Sequence, residues 1–120
     1  MSNDLSELQR RYREFIEDRD WEEFQTPKNI AEAISIEAGE LLDCFLWHDN
    51  FQSEEIREDQ ELLEDIEEEL ADIVIFSLGM ANELDIDIGE AIETKLDANA
   101  RRFDQSEVQE INEELHKWKR

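Results

Sequence analysis

Four carboxylates stand apart from the many others in this chain because of what flanks them. Glu37 and Glu40 lie in Ala33-Ile34-Ser35-Ile36-Glu37-Ala38-Gly39-Glu40-Leu41-Leu42, and Glu69 and Asp72 lie in Glu69-Leu70-Ala71-Asp72-Ile73-Val74-Ile75-Phe76. Residues three apart on a helix project from one face, with Cβ atoms about 5–6 Å apart. Two helices that turn such pairs toward each other gather four negative charges in a partly dry cleft, an arrangement strongly unfavourable without a cation. Magnesium suits that ligand set, with manganese as a substitute: it prefers oxygen donors, keeps several waters and completes its shell with substrate phosphates. A di-iron site in a helical bundle instead takes a Glu-x-x-His pair from each of two helices, and the only histidines, His48 and His116, fall at neither pair. The rival reading makes Glu37, Glu40, Glu69 and Asp72 rim charges paired with Arg or Lys. In a chain with 35 acidic residues their spacing also recurs by chance, as in the run Glu64 to Glu69. The apolar flanks and the scarcity of basic residues nearby raise the metal reading to stand beside the rim reading, and the residues by themselves leave both open.

Those pairs need two facing helices, and the apolar periodicity predicts them. A helix from about Asn29 to Trp47 carries Ile30, Ile34, Ala38, Leu41 and Phe45 at three- and four-residue spacing. Another, from about Glu58 to Glu83, carries Leu62, Ile66, Leu70, Ile73, Ser77, Ala81 and Leu84, and its half from Leu70 to Ala81 is apolar or small enough to be buried on most sides. Before them, Asp4 or Ser2 can cap a helix from about Leu5 to Arg19 with Leu8, Tyr12, Phe15 and Ile16 on one stripe. The segment Asp20 to Asn29 reads as a structured loop in which Thr26-Pro27 opens the next helix. A polar stretch from His48 to about Ile56 reads as loop. Asp87 can cap a last core helix from Ile88 to Phe103, and Ser106 to Arg120 has helical propensity but only a thin apolar stripe. The expected architecture is all-α, with four helices over residues 1–105 followed by a C-terminal helical tail over 106–120.

Composition agrees, with only three glycines and one proline. A net charge of −23, from 35 acidic against 12 basic residues, excludes direct binding to a nucleic-acid backbone or an anionic membrane face, so a nucleotide would need metal ions to approach. The same surface would suit a salt-rich cytoplasm, where screening shortens carboxylate repulsion. Cys44 is the only cysteine; with no disulfide partner in the chain and apolar neighbours, it reads as a packed thiol in a reducing cytoplasm. No export signal and no apolar stretch of membrane-spanning length is visible.

With these residues in view, the chain resembles the MazG-like all-α nucleoside triphosphate pyrophosphohydrolases, and among them the small dCTP pyrophosphatase type. The likeness runs from about Asp20 to Phe103. It rests on Glu37-Ala38-Gly39-Glu40 and Glu69-Leu70-Ala71-Asp72, on Arg19-Asp20-Trp21-Glu22-Glu23-Phe24 with Pro27 and Asn29, on Phe45-Leu46-Trp47, on the run Leu70 to Phe76, and on Lys95-Leu96-Asp97-Ala98-Asn99-Ala100-Arg101-Arg102-Phe103. The resemblance implies that the four carboxylates hold magnesium, that the protomer is four-helix-bundle-like, and that the working unit is a homodimer or homotetramer with sites near subunit contacts. It also implies that Trp21 and Trp47 line a base pocket and that Lys95 and Asn99 approach the phosphates and the sugar or base. Gln25 and Phe103 stand where the dCTP-type enzymes tend to have the His of Phe-His-x-Pro and a tyrosine after the arginines, so both bear on base choice. Lys95, Arg101 and Arg102 form a basic cluster suited to a triphosphate tail.

The expected activity is magnesium-dependent cleavage of a nucleoside triphosphate to the monophosphate and pyrophosphate, in the service of nucleotide-pool sanitation with dCTP-like substrates. Glu40, with Glu37, is the candidate for contacting the attacking water. The alternative is a non-catalytic acidic helical interaction module, which predicts uniformly exposed acidic faces.

Overall fold

The computed structural model describes residues 4–46 and 53–118. Among them the regular structure is helical: α1 (Leu5–Asp18), a short 3₁₀ turn (Glu22–Phe24), α2 (Pro27–Asp43), α3 (Ser53–Glu58), α4 (Gln60–Glu83), α5 (Ile88–Arg102) and α6 (Gln105–Trp118). The all-helical expectation holds. The chain divides into two compact units, Met1–Ile88 and Gly89–Arg120. In the first, α4 is the spine against which α1, α2 and α3 pack. The second is built from α5 and α6. No helix among the described residues is long and apolar enough to cross a membrane.

Helix starts follow cap chemistry. The Asp4 side chain accepts a hydrogen bond from the Glu7 N–H at 2.8 Å, Thr26 Oγ1 accepts from the Asn29 N–H at 3.3 Å, and Asp59 Oδ1 accepts from the Leu62 N–H at 3.1 Å. Each satisfies one of the donors that a first helical turn leaves without an intrahelical partner. Pro27 occupies the first turn of α2, where its missing N–H costs nothing, so α2 begins two residues before the expected Asn29. It ends at Asp43 rather than Trp47, which lies outside the described residues. Part of the stretch expected to be loop up to Ile56 is helix α3, and the Asp59 cap starts α4 afresh at Gln60.

The ends of α1 and α4 share one device. The Trp21 N–H donates to the Ile16 carbonyl at 3.1 Å and the Asp20 N–H to Glu17 at 3.1 Å. After α4, the Ile86 N–H donates to Ala81 at 2.8 Å and the Asp85 N–H to Asn82 at 3.4 Å. This six-to-one and five-to-two pattern is a Schellman motif, which requires a left-handed residue just beyond the cap. Asp20 and Asp85, both at φ 54°, supply it, short polar side chains being the non-glycine residues that tolerate the region best. The first motif folds Trp21 back beside α1, where its ring meets Phe15 edge-on at 5.9 Å. The second is locked to α1: the Asn82 amide donates to the Gln9 carbonyl at 3.0 Å, and the Gln9 amide donates to the Ile86 carbonyl at 3.0 Å. α1 and α4 approach closely at Gly79, where a Cβ would sit 2.9 Å from the Tyr12 ring.

The core is small, with Ile16, Ile30, Leu62, Leu78 and Ala81 as its buried apolar residues. One expectation fails here. The Leu70 to Ala81 half of α4 is not enclosed: Leu70 is 49 % exposed and Val74 46 %. The helices packed on α4 cover only part of its circumference, so one chain leaves an apolar strip of it facing water.

Candidate functional site

Two matching registers bring the carboxylates together. On α2, Ile30, Ile34, Glu37 and Leu41 recur at spacings of four, three and four; on α4, Leu62, Ile66, Glu69 and Ile73 do the same. Each series follows one helical face. Ile30 and Leu62 are buried and the remaining members half-buried. Packing the two apolar stripes therefore carries a glutamate of each helix into the seam between α2 and α4. Glu40 and Asp72 sit one turn further along their helices.

Glu37, Glu40 and Glu69 each offer a carboxylate oxygen within 4.8 Å of the other two. Glu37 Oε2 and Glu69 Oε2 are buried atoms with no hydrogen-bond partner among the described residues. The groups nearest them are carboxylates, which can bond one another only when one holds a proton. The hydrogen bond that a protonated Glu37 can make to Glu69 is the main cause that raises the Glu37 pKa, with burial and the charges of Glu69 and Asp72 adding to it. Glu40 is raised in turn, chiefly by the hydrogen bond a protonated Glu40 can make to Glu37 and by the Glu37 charge. No ion pair relieves the cluster: those among the described residues are Arg10 with Glu7 and Glu14, Arg57 with Glu54, and Lys117 with Glu114. The paired-rim reading of these carboxylates finds no support. Hard anionic oxygens, close together, partly dry and without donors, fit a divalent cation. Asp72 stands outside the trio but close enough for its charge to act on Glu37 and Glu40.

Asp72 also borders a cleft of about 660 Å³ between α1 and α4. Tyr12, Phe15 and Trp21 line it on the α1 side, Val74, Ile75 and Phe76 on the α4 side. Tyr12 and Phe15 stack with centroids 5.9 Å apart, and the Arg19 guanidinium lies 3.7 Å above the Phe15 ring. Offset and edge-on aromatic contacts of this kind fix ring orientation as well as burying area. The cleft has the apolar, aromatic lining and the volume of a small-ligand pocket.

The other candidates are dispersed. Gln25 is half-buried and faces a smaller recess of about 140 Å³ shared with Tyr12, Gly79 and Asn82. Trp47 lies outside the described residues. Lys95, Asn99, Arg102 and Phe103 belong to the second unit; there the Phe103 N–H donates to the Asn99 carbonyl at 2.9 Å and the Arg102 guanidinium lies 4.9 Å from the Phe103 ring centre. The Cys44 thiol donates to the Glu40 carbonyl at 3.5 Å, and burial with the charges of Asp65 and Glu69 pushes its pKa up, away from nucleophilic use. Sequence reasoning missed Arg11, Tyr12, Phe15 and Phe76 as cleft residues. It gave Tyr12 and Phe15 only as part of the α1 stripe and gave Arg11 no role.

Comparison with known proteins matches this chain to the MazG-like family model over residues 32–117. Relatives include dCTP pyrophosphatase 1 of Bos taurus, 32 % identical over 99 residues that make up 82 % of this chain and 59 % of that protein. The Homo sapiens protein of the same name is 31 % identical, over 82 % of this chain and 58 % of its own length. The chain thus spans under two thirds of the length of these relatives. Among solved structures, a pyrophosphatase from Archaeoglobus fulgidus superposes with a TM-score of 0.69 at 36 % identity, covering 88 % of this chain and 96 % of that one.

Proposed function

The chain belongs to the MazG-like family, and from that premise we propose that it is an enzyme hydrolysing a nucleoside triphosphate to the monophosphate and pyrophosphate with the help of a divalent cation, magnesium first and manganese as substitute. The observation that carries this reading is the trio Glu37, Glu40 and Glu69, with buried oxygens that have no donor and no counter-ion among the described residues. The names of the relatives, dCTP pyrophosphatase 1 and pyrophosphatase, agree with it and make a dCTP-like substrate the first to try.

Glu37 and Glu69, at the dry centre of the seam, together with Glu40 and Asp72, would hold the metal. When bound, the ion offsets polyphosphate charge and makes the phosphorus more electrophilic. Glu40 is the exposed member of the trio, placed to orient a water and accept its proton. The water oxygen bonds to the α-phosphorus as the α–β bridging bond breaks in line with it, and pyrophosphate leaves with the electron pair. Trp21, on the cleft wall beside Asp72, offers its ring to the base. Trp47 and Gln25 share that role in this reading, while Lys95, Asn99, Arg102 and Phe103 serve the phosphates and the sugar or base.

The apolar strip of α4 around Leu70 and Val74 supports a homodimer or homotetramer. A catalytic domain over residues 1–105 with a helical tail over 106–120, a cytoplasmic location and a role in nucleotide-pool sanitation complete the proposal. The non-catalytic alternative requires uniformly exposed carboxylates, and the buried oxygens of Glu37 and Glu69 speak against it.

Incubation with each common ribo- and deoxyribonucleoside triphosphate plus magnesium is expected to release pyrophosphate and monophosphate. Release of orthophosphate, or no release with any of them, would reject the proposal.

A further inference from the structure

The arginines of α1 and its C-cap separate into those with a partner and one without. Arg10 is clamped between Glu7 and Glu14. Arg13 reaches Asn82 at 3.4 Å. Arg19 donates to the Phe15 carbonyl at 2.9 Å and covers that ring. Arg11 has no hydrogen-bond, ion-pair or ring partner among the described residues, although the chain carries 35 acidic groups that could have supplied one. Among the described residues it is the only cation on the wall of the 660 Å³ cleft, where it stands with Tyr12, Phe15, Trp21 and Phe76, and Asp72 is the only anion there. A guanidinium kept without a partner in so acidic a chain, on the wall of an aromatic-lined cavity, is available to a ligand.

We propose that Arg11 discriminates among nucleobases in this cleft by donating its planar fork to a base edge that carries two adjacent acceptors. The inference rests on the reading that a nucleotide is the substrate. A guanidinium has donors only, in a rigid fork that matches two neighbouring acceptors. Cytosine presents such a pair at O2 and N3, and guanine at O6 and N7. Thymine and uracil set a donor between their acceptors, and adenine places an amino donor beside the acceptor on each edge, so the fork meets one unfavourable group. The aromatic walls stack on any base and carry no such preference, which leaves the fork as the discriminating element of this cavity.

The test is the binding of dCMP, dGMP, dTMP and dAMP to the wild-type protein and to Arg11→Met and Arg11→Lys, by calorimetry. Methionine keeps an apolar stem and loses the fork, whereas lysine keeps the charge and loses the two-point geometry. The wild type is expected to favour dCMP or dGMP over dTMP and dAMP. That preference should fall about tenfold or more in Arg11→Met, the usual worth of one bidentate base contact, and Arg11→Lys should retain affinity while losing most of the preference. Equal weakening for all four nucleotides would assign Arg11 to the phosphate and overturn the inference, as would an unchanged preference or a wild type that favours dTMP or dAMP. Should Arg11→Met fail to fold, Arg11→Lys decides alone. If the cleft instead seats a second copy, none of the four binds while sedimentation velocity reports dimers, and the inference is lost. Base-selective binding without pyrophosphate release from any triphosphate would reject the proposed reaction and leave this inference standing.

Discussion

Glu37→Gln and Glu69→Gln are each expected to lower kcat/KM for triphosphate cleavage by roughly 10²–10³-fold, since a metal's charge stabilisation of the transition state amounts to several kcal/mol and each 1.36 kcal/mol is a factor of ten. The amides keep the size and shape of the side chains and remove only the charge. Activity should therefore fall while the fold persists. In the absence of divalent ions the variants should melt at the same temperature as the wild type or higher, because the wild type crowds carboxylates whose buried oxygens have no donor, and removing an uncompensated charge of that kind is neutral or stabilising. Loss of activity coupled to a gain in stability distinguishes a ligand cluster from a structural one. If these carboxylates only held α2 to α4, both properties would fall together. Activity assays and thermal melts on the two variants check the pattern.

Magnesium should raise the melting temperature of the wild type, and the response should depend on pH in a defined sense. A ligand at a hundredfold excess over its dissociation constant stabilises the folded state by about 2.7 kcal/mol, on the order of 10 °C for a chain of this size. Glu37 and Glu40 have folded-state pKa values raised above the ordinary 4.5, so the folded protein binds their protons more tightly than the unfolded chain does. That contribution to stability is fully present below about pH 4.5 and is lost as the pH rises through the raised values. Without divalent ions the melting temperature should therefore decline over that window, and more steeply for the wild type than for Glu37→Gln. With magnesium the decline should flatten or reverse, because the ion favours the ionised carboxylates. Melts with magnesium and with sodium chloride of equal ionic strength separate site binding from general screening of a chain with net charge −23.

The helices were legible from their apolar periodicity, the register of the seam less so. The stripes expected from the sequence pass through Ala38 and Leu70, whereas in the structure both are exposed and Glu37 and Glu69, one residue earlier on each helix, take the seam positions; the carboxylates themselves were legible from their spacing and apolar flanks. A glutamate in the middle of an apolar stripe has few places to go but the helix contact. Caps were legible for the same local reason at Asp4 and Thr26. The aromatic cleft was less so. Tyr12 and Phe15 belong to an amphipathic stripe that fits a core equally well, and only the packing of α1 against α4, set by Gly79 and the Gln9–Asn82 bonds, leaves their rings lining a cavity. The exposure of Leu70 and Val74 was hidden too, because an apolar run reads the same whether its cover comes from its own chain or from another. Helix α3 escaped notice because five charged and polar residues around Ile56 carry almost no periodic signal.

Electron paramagnetic resonance during a Mn²⁺ titration tests the central claim most directly, since bound manganese loses the sharp spectrum of the hexaaqua ion. The wild type should remove free Mn²⁺ from solution at a site that magnesium competes for, and Glu37→Gln with Glu69→Gln combined should abolish that site. Undiminished Mn²⁺ binding in the double variant would contradict the account.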